Sequence, residues 1–80
     1  MMTITVKDFV EASSGVDEFE VHGTPDPEYK SIGEEYGFFF RSDLEKNPPS
    51  YEKFKDRQIE RMLFYSSYDS WVVCEMYLKD

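Results

Sequence analysis

The last quarter of the chain alternates most clearly. In Trp71-Val72-Val73-Cys74-Glu75-Met76-Tyr77-Leu78 the even positions are all apolar, and the odd positions are Trp, Val, Glu and Tyr. Successive side chains of a strand point to opposite faces, so Val72, Cys74, Met76 and Leu78 form the expected core face. Before it, Arg57 to Tyr65 is a second run rich in apolar residues, and Ser66 to Asp69 is a polar break. Two such runs around a short break predict a β-hairpin. The partner register is open at this level. One spacing places Ile59, Arg61 and Leu63 on the face of Cys74, and the other places Met62 and Phe64 there. Either way, large apolar groups remain on the second face and require a cover.

The same reading runs from the N-terminus. Thr5 is an N-cap with Asp8 three residues on, and Ile4 and Phe9 are spaced as a hydrophobic staple. Val6, Phe9 and Val10 make one apolar face, and Gly15 is placed to close a helix over residues 6–13. Asp17 to His22 alternates, with Phe19 and Val21 on one side and Glu18, Glu20 and His22 on the other, which predicts a half-buried strand. Gly23 to Pro27 breaks it, and residues 28–35 read as loop. Tyr36 to Arg41 is a short aromatic strand. Ser50 is placed to cap a short helix through Asp56, with Tyr51 and Phe54 inward. No connection has the look of a full βαβ crossover. The expected fold is a single α+β domain over residues 1–80: a four-stranded antiparallel sheet, the first helix on one face and a short second helix.

Aromatic residues make up 18% of the chain. Most of Phe9, Phe19, Phe38, Phe40, Phe54 and Phe64 are expected in the core, whereas Tyr65, Tyr68, Trp71 and Tyr77 gather at the hairpin tip and on its second face. Tyr and Trp are the residue types that dominate binding hot spots.

Charge adds more. The net charge is −8, and residues 1–45 carry all of it, with eleven acids against three bases; residues 46–80 hold six of each. Such a surface disfavours direct binding of nucleic acid or an anionic membrane, and favours a basic protein partner. No apolar run approaches the length of a membrane span, and Met1-Met2-Thr3 leads into a charged segment rather than a signal core. One cysteine in a core pattern fits a reducing compartment, so a cytoplasmic protein is expected.

Catalytic signatures are sparse. Glu18, Glu20 and His22 share a strand face, but structural zinc sites take four Cys or His ligands and the chain has one of each, so a solvated face is the simpler reading. The same shortage disfavours a Cys–His nucleophile pair, and the serines fall where helix ends and turns place them. The glycines are too scattered for a phosphate loop. No catalytic residue, metal or cofactor is expected.

The Thr5-Val6-Lys7-Asp8-Phe9 opening, the acidic strand after it and the hairpin entered through Asp56-Arg57-Gln58-Ile59-Glu60 resemble small accessory proteins of phages and mobile elements. The resemblance covers the two ends, about half of the chain, and leaves Thr24 to Ser50 unmatched. Proteins of that kind include inhibitors of host defence, anti-CRISPR proteins among them. The resemblance implies a non-enzymatic inhibitor acting inside the host cell and identifies no site; the charge points to a basic host protein as its target. Asp17, Glu18, Glu20, Asp26, Glu28, Glu34 and Glu35 would occupy Lys and Arg sites meant for phosphates, as a DNA mimic does. The alternative is a plain interaction module or a homodimeric adaptor that uses Tyr65, Tyr68, Trp71 and Tyr77.

Overall fold

The computed structural model describes residues 3–23, 34–67 and 70–79. In chain order the elements are helix α1 (Val6–Ala12), strand β1 (Glu18–His22), strand β2 (Glu35–Phe40), a 3₁₀ helix (Arg41–Lys46), helix α2 (Pro49–Phe54), strand β3 (Ile59–Ser67) and strand β4 (Trp71–Leu78). They form an α+β domain around one four-stranded sheet of order β2-β1-β4-β3.

The sheet is mixed, which corrects the antiparallel expectation. β1 pairs with β2 and β3 pairs with β4 antiparallel, but β1 and β4 run parallel at the centre. β2 and β3 are therefore parallel strands on opposite edges. The segment from residue 41 to residue 58, with the 3₁₀ helix and α2, is the crossover between them. The short helix expected from Ser50 is present as α2, but Ser42 to Ser50 reads along the chain as a plain connection, and one short helix does not mark a crossover. The order gives the two most buried strands, β1 and β4, a neighbour on both sides.

Helix α1 starts as its sequence predicts. Thr5 is extended, and its hydroxyl accepts from the Asp8 amide at 3.2 Å. Its end differs. Gly15 does not close it; Ser13 is the C-cap, and the Ser13 hydroxyl donates to the Phe9 carbonyl at 2.8 Å. Arg41 completes the closure. Its Nε donates to the Val16 carbonyl at 2.7 Å and its Nη2 to the Val10 carbonyl at 3.0 Å and to the Ser13 carbonyl. The guanidinium also lies 5.2 Å from the centre of the Phe19 ring. A cation at a helix C-terminus satisfies orphan carbonyls and opposes the helix dipole.

Helix α2 begins at Pro49 with Pro48 in the cap position and no side-chain cap, so Ser50 is not the capping residue. Proline suits the first turn because its missing N–H would have no partner there. The Ser50 hydroxyl instead faces Gly37 so closely that a Cβ on Gly37 would overlap it. This close approach explains a glycine inside β2. Phe54 is buried and Tyr51 packs on the core, as the sequence predicts.

The hairpin takes the second of its two registers. Met62 pairs with Met76 and Phe64 with Cys74, because Ser67 pairs with Trp71 and leaves an odd number of residues between them. A bulge between Ile59 and Arg61 returns Ile59 to the core side opposite Leu78. The core lies between the sheet and the helices. Val6, Phe9, Val10 and Phe54 meet Phe19, Val21, Phe39, Cys74, Met76 and Leu78 there. Phe9 sets its ring edge-on to Phe19 at 6.2 Å, and Phe19 stacks on Phe39 at 5.1 Å. Of the rings expected mostly in the core, Phe38, Phe40 and Phe64 are not part of it. Three consecutive phenylalanines carry no alternation, and only the pairing of β2 with β1 selects Phe39 as the inward ring.

Candidate functional site

The second face of the sheet is built row by row from the strand registers. Phe40, Glu18, Val73 and Tyr65 form one row across β2, β1, β4 and β3. Phe38, Glu20, Glu75 and Leu63 form the next. His22, Tyr77 and Arg61 form the third on the three strands beyond β2. In the first two rows, the acids Glu18, Glu20 and Glu75 lie in the middle of the sheet and aromatic or aliphatic groups lie on its edges.

Phe38 is 53% exposed, Tyr65 42%, Trp71 39% and Leu63 38%. The rings touch in series: Phe38 meets Phe40 at 5.6 Å, and Phe40 meets Trp71 at 6.1 Å. Each acid is held by an aromatic hydrogen-bond donor. The Trp71 indole N–H donates to Glu18 Oε1 at 3.1 Å, and the Tyr65 hydroxyl donates to Glu20 Oε2 at 2.7 Å. The Tyr77 hydroxyl donates to Glu75 Oε2 at 2.6 Å. The Tyr65 bond holds that phenol above its ordinary pKa, with burial adding to it. Tyr77 is pushed up to about 12, first by burial and then by its bond to Glu75.

The predicted site residues divide. Glu18, Glu20, Tyr65 and Trp71 come together on this face. Asp17 does not serve as an open acid: its Oδ2 accepts from the Val72 amide at 2.9 Å, and its own amide donates to the Val72 carbonyl, so it clamps β1 to β4. Tyr77 shares the face but is only 2% exposed, with its ring stacked on His22 at 5.0 Å. Glu34 and Glu35 are exposed at the start of β2. Asp26, Glu28 and Tyr68 lie outside the described residues.

The face also holds residues that sequence reasoning did not assign to it as a site: Phe38, Phe40, Leu63 and Glu75. The odd set of β4 places Glu75 opposite the core, which is a usable signal. For Phe38 and Phe40 the misleading signal was their aromaticity. The face is not the plain solvated one expected around His22, since His22 is 2% exposed and its Nε2 lies 3.3 Å from Glu20 Oε1.

The nucleophile chemistry separates by face. Cys74 faces the core, where burial pushes its thiol up to about 12, while His22 faces the other way. The two side chains are on opposite sides of the sheet. A shallow depression at the open end of the hairpin is lined by Asp56, Arg57, Gln58 and Lys79, of mixed charge. Among the described residues, no helix is long and apolar enough to cross a membrane.

Comparison with protein-family models, with curated proteins and with solved structures finds no match to this chain.

Proposed function

We propose that this protein acts by binding another protein on the second face of its sheet, and that the partner presents arginine or lysine side chains to it. The observation that carries the reading is the acidic centre of Glu18 and Glu20 framed by the exposed rings of Phe38, Tyr65 and Trp71. Carboxylates bind a guanidinium in a fixed geometry, and aromatic faces attract cations. Hydrogen bonds from Trp71 and Tyr65 hold two acids in place before a partner arrives, which lowers the entropy lost on association. The net charge of −8 supports attraction to a basic surface over distance.

The stronger form of the reading makes the partner a nucleic-acid-binding host protein, inhibited by occupation of its phosphate sites. The concentration of charge in residues 1–45 supports this form. Asp17 is engaged inside the fold, so the mimic would rest on Glu18, Glu20, Glu34 and Glu35.

Trp71 is the only tryptophan in the chain and stands on this face, so its fluorescence reports docking. An arginine-rich peptide is expected to change that fluorescence at low salt, with the effect falling as salt rises and absent in E18K/E20K. Proteins captured from a host-cell lysate should be lost from E18K/E20K and from Phe38→Ser while circular dichroism stays unchanged. Capture of the same proteins by all three versions would remove the face from the reading. A particle of twice 9.5 kDa that both variants dissolve would assign the face to a second copy of the chain instead. Nucleic acid competing with the captured partner separates the mimic from a plain module.

A further inference from the structure

We propose that Glu20, His22 and Glu75 form a binding site for one divalent transition-metal ion, with Zn²⁺ the best match. The docking reading does not depend on this site. The three residues sit on the two central strands, where the parallel register sets Glu20 beside Glu75 and His22 beside Tyr77. One ligand atom from each lies within 4.8 Å of the others. Zinc held by nitrogen and oxygen at about 2.0–2.2 Å needs ligand atoms roughly 3–3.5 Å apart. Binding therefore requires the ligand atoms to draw together from a spacing of up to 4.8 Å.

Burial distinguishes this set from an ordinary acidic surface patch. The His22 side chain is 3% exposed and that of Glu20 17%, and Glu75 is half-buried. Two carboxylates stand side by side here with an imidazole between the same strands. An imidazolium offsets one of the two charges, whereas a dication offsets both. One imidazole nitrogen with two carboxylate oxygens is a donor set for zinc or manganese and a poor one for calcium, which takes oxygen ligands alone.

The surroundings already orient the ligands. The Tyr65 hydroxyl donates to Glu20 Oε2 and the Tyr77 hydroxyl donates to Glu75 Oε2, each of which holds one oxygen of its carboxylate. The other oxygen of Glu20 is the one that faces His22 Nε2 at 3.3 Å. The His22 ring is stacked on Tyr77, with 27° between the planes, which restrains the imidazole. Outer hydrogen bonds of this kind are what orient metal ligands in proteins. Glu18, which the sequence groups with Glu20 and His22, is drawn away by the Trp71 indole, and Glu75 takes its place. Three protein ligands leave a coordination position on the open side of the sheet for water or a partner's side chain.

The test uses the untagged full chain, dialysed against EDTA and titrated with ZnCl₂ by calorimetry, with the melting temperature followed in parallel. The expected result is one ion per chain and a melting temperature that rises with Zn²⁺ but not with Mg²⁺. His22 is the only histidine, so its imidazole NMR signals need no assignment and should shift during the titration. Co²⁺ should give visible absorption bands. Glu75→Gln, close in shape to the native side chain, should weaken Zn²⁺ binding at least tenfold, and Tyr77→Phe about tenfold through the lost orienting bond. No heat and no His22 shift at millimolar Zn²⁺ would overturn the site, as would binding equally strong in Glu20→Gln and Glu75→Gln. Either failure leaves the peptide and capture tests of the docking face intact, because those use no metal.

Discussion

The hydroxyl of Tyr65 on β3 reaches over β4 and donates to Glu20 Oε2 on β1 at 2.7 Å. The bond spans three strands and joins a residue of the C-terminal hairpin to one of the acidic N-terminal half. Because the carboxylate holds the phenolic proton, Tyr65 titrates above the ordinary tyrosine range. Glu20→Gln removes that charge, so one tyrosine should move down toward pH 10 in an ultraviolet titration. Tyr65→Phe should delete the same step while leaving the fold unchanged. An identical titration curve for wild type and Glu20→Gln would mean that the bond does not persist in solution.

Arg41 closes α1 from a distance of some thirty residues along the chain, through the carbonyls of Val10, Ser13 and Val16. Arg41→Met leaves these acceptors without their charged donor and should cost about 2–3 kcal/mol in urea denaturation. Arg41→Lys should recover less than half, since one ammonium does not reproduce the planar fork of donors. A loss below about 0.5 kcal/mol, the range of ordinary surface substitutions, would show that water replaces the guanidinium at no cost.

Gly37 is required by the close approach of Ser50 and by its own backbone φ of +157°. A Cβ at Gly37 would overlap the Ser50 hydroxyl and crowd its Cβ. Gly37→Ala should therefore destabilise the protein by about 1–3 kcal/mol, as overpacking does. Ser50→Gly should restore the part of that loss due to the overlap, with a coupling outside additivity, while the positive φ of Gly37 keeps the remainder. Purely additive losses would place the strain in the backbone of β2 instead.

Cys74 should resist thiol reagents in the native protein at pH 8 and react fully in urea, since burial raises its pKa from 9.0 to about 12. The same shift sets a pH dependence of stability. The folded state keeps a proton that the unfolded chain releases, so the contribution is fully present below pH 9 and is lost as pH rises toward 12. Tyr77, raised from 10.0 to about 12, acts in the same direction above pH 10. Urea midpoints should hold level from pH 7 to 9 and fall steadily above that. A midpoint that rises between pH 9 and 11 would contradict the burial of both groups.

Local elements are legible along the chain. The Thr5 cap and the apolar face of Val6, Phe9 and Val10 specify α1, because a capping side chain and a helical repeat act within a few residues. The alternation of Phe19 with Val21, and of Cys74 with Met76 and Leu78, states which side chains share a face, because a strand has a period of two. The tertiary structure decided which strands lie side by side. Backbone hydrogen bonds are satisfied in parallel and antiparallel ladders alike, so β1 beside β4 was settled by the crossover through residues 41–58 and by burial of Phe19 and Val21 beside Cys74 and Met76 at the centre. That pairing buries Tyr77 against His22, turns Phe38 outward and brings Glu75 to Glu20. No spacing along the chain encodes those contacts, because each joins residues that only the sheet order makes neighbours.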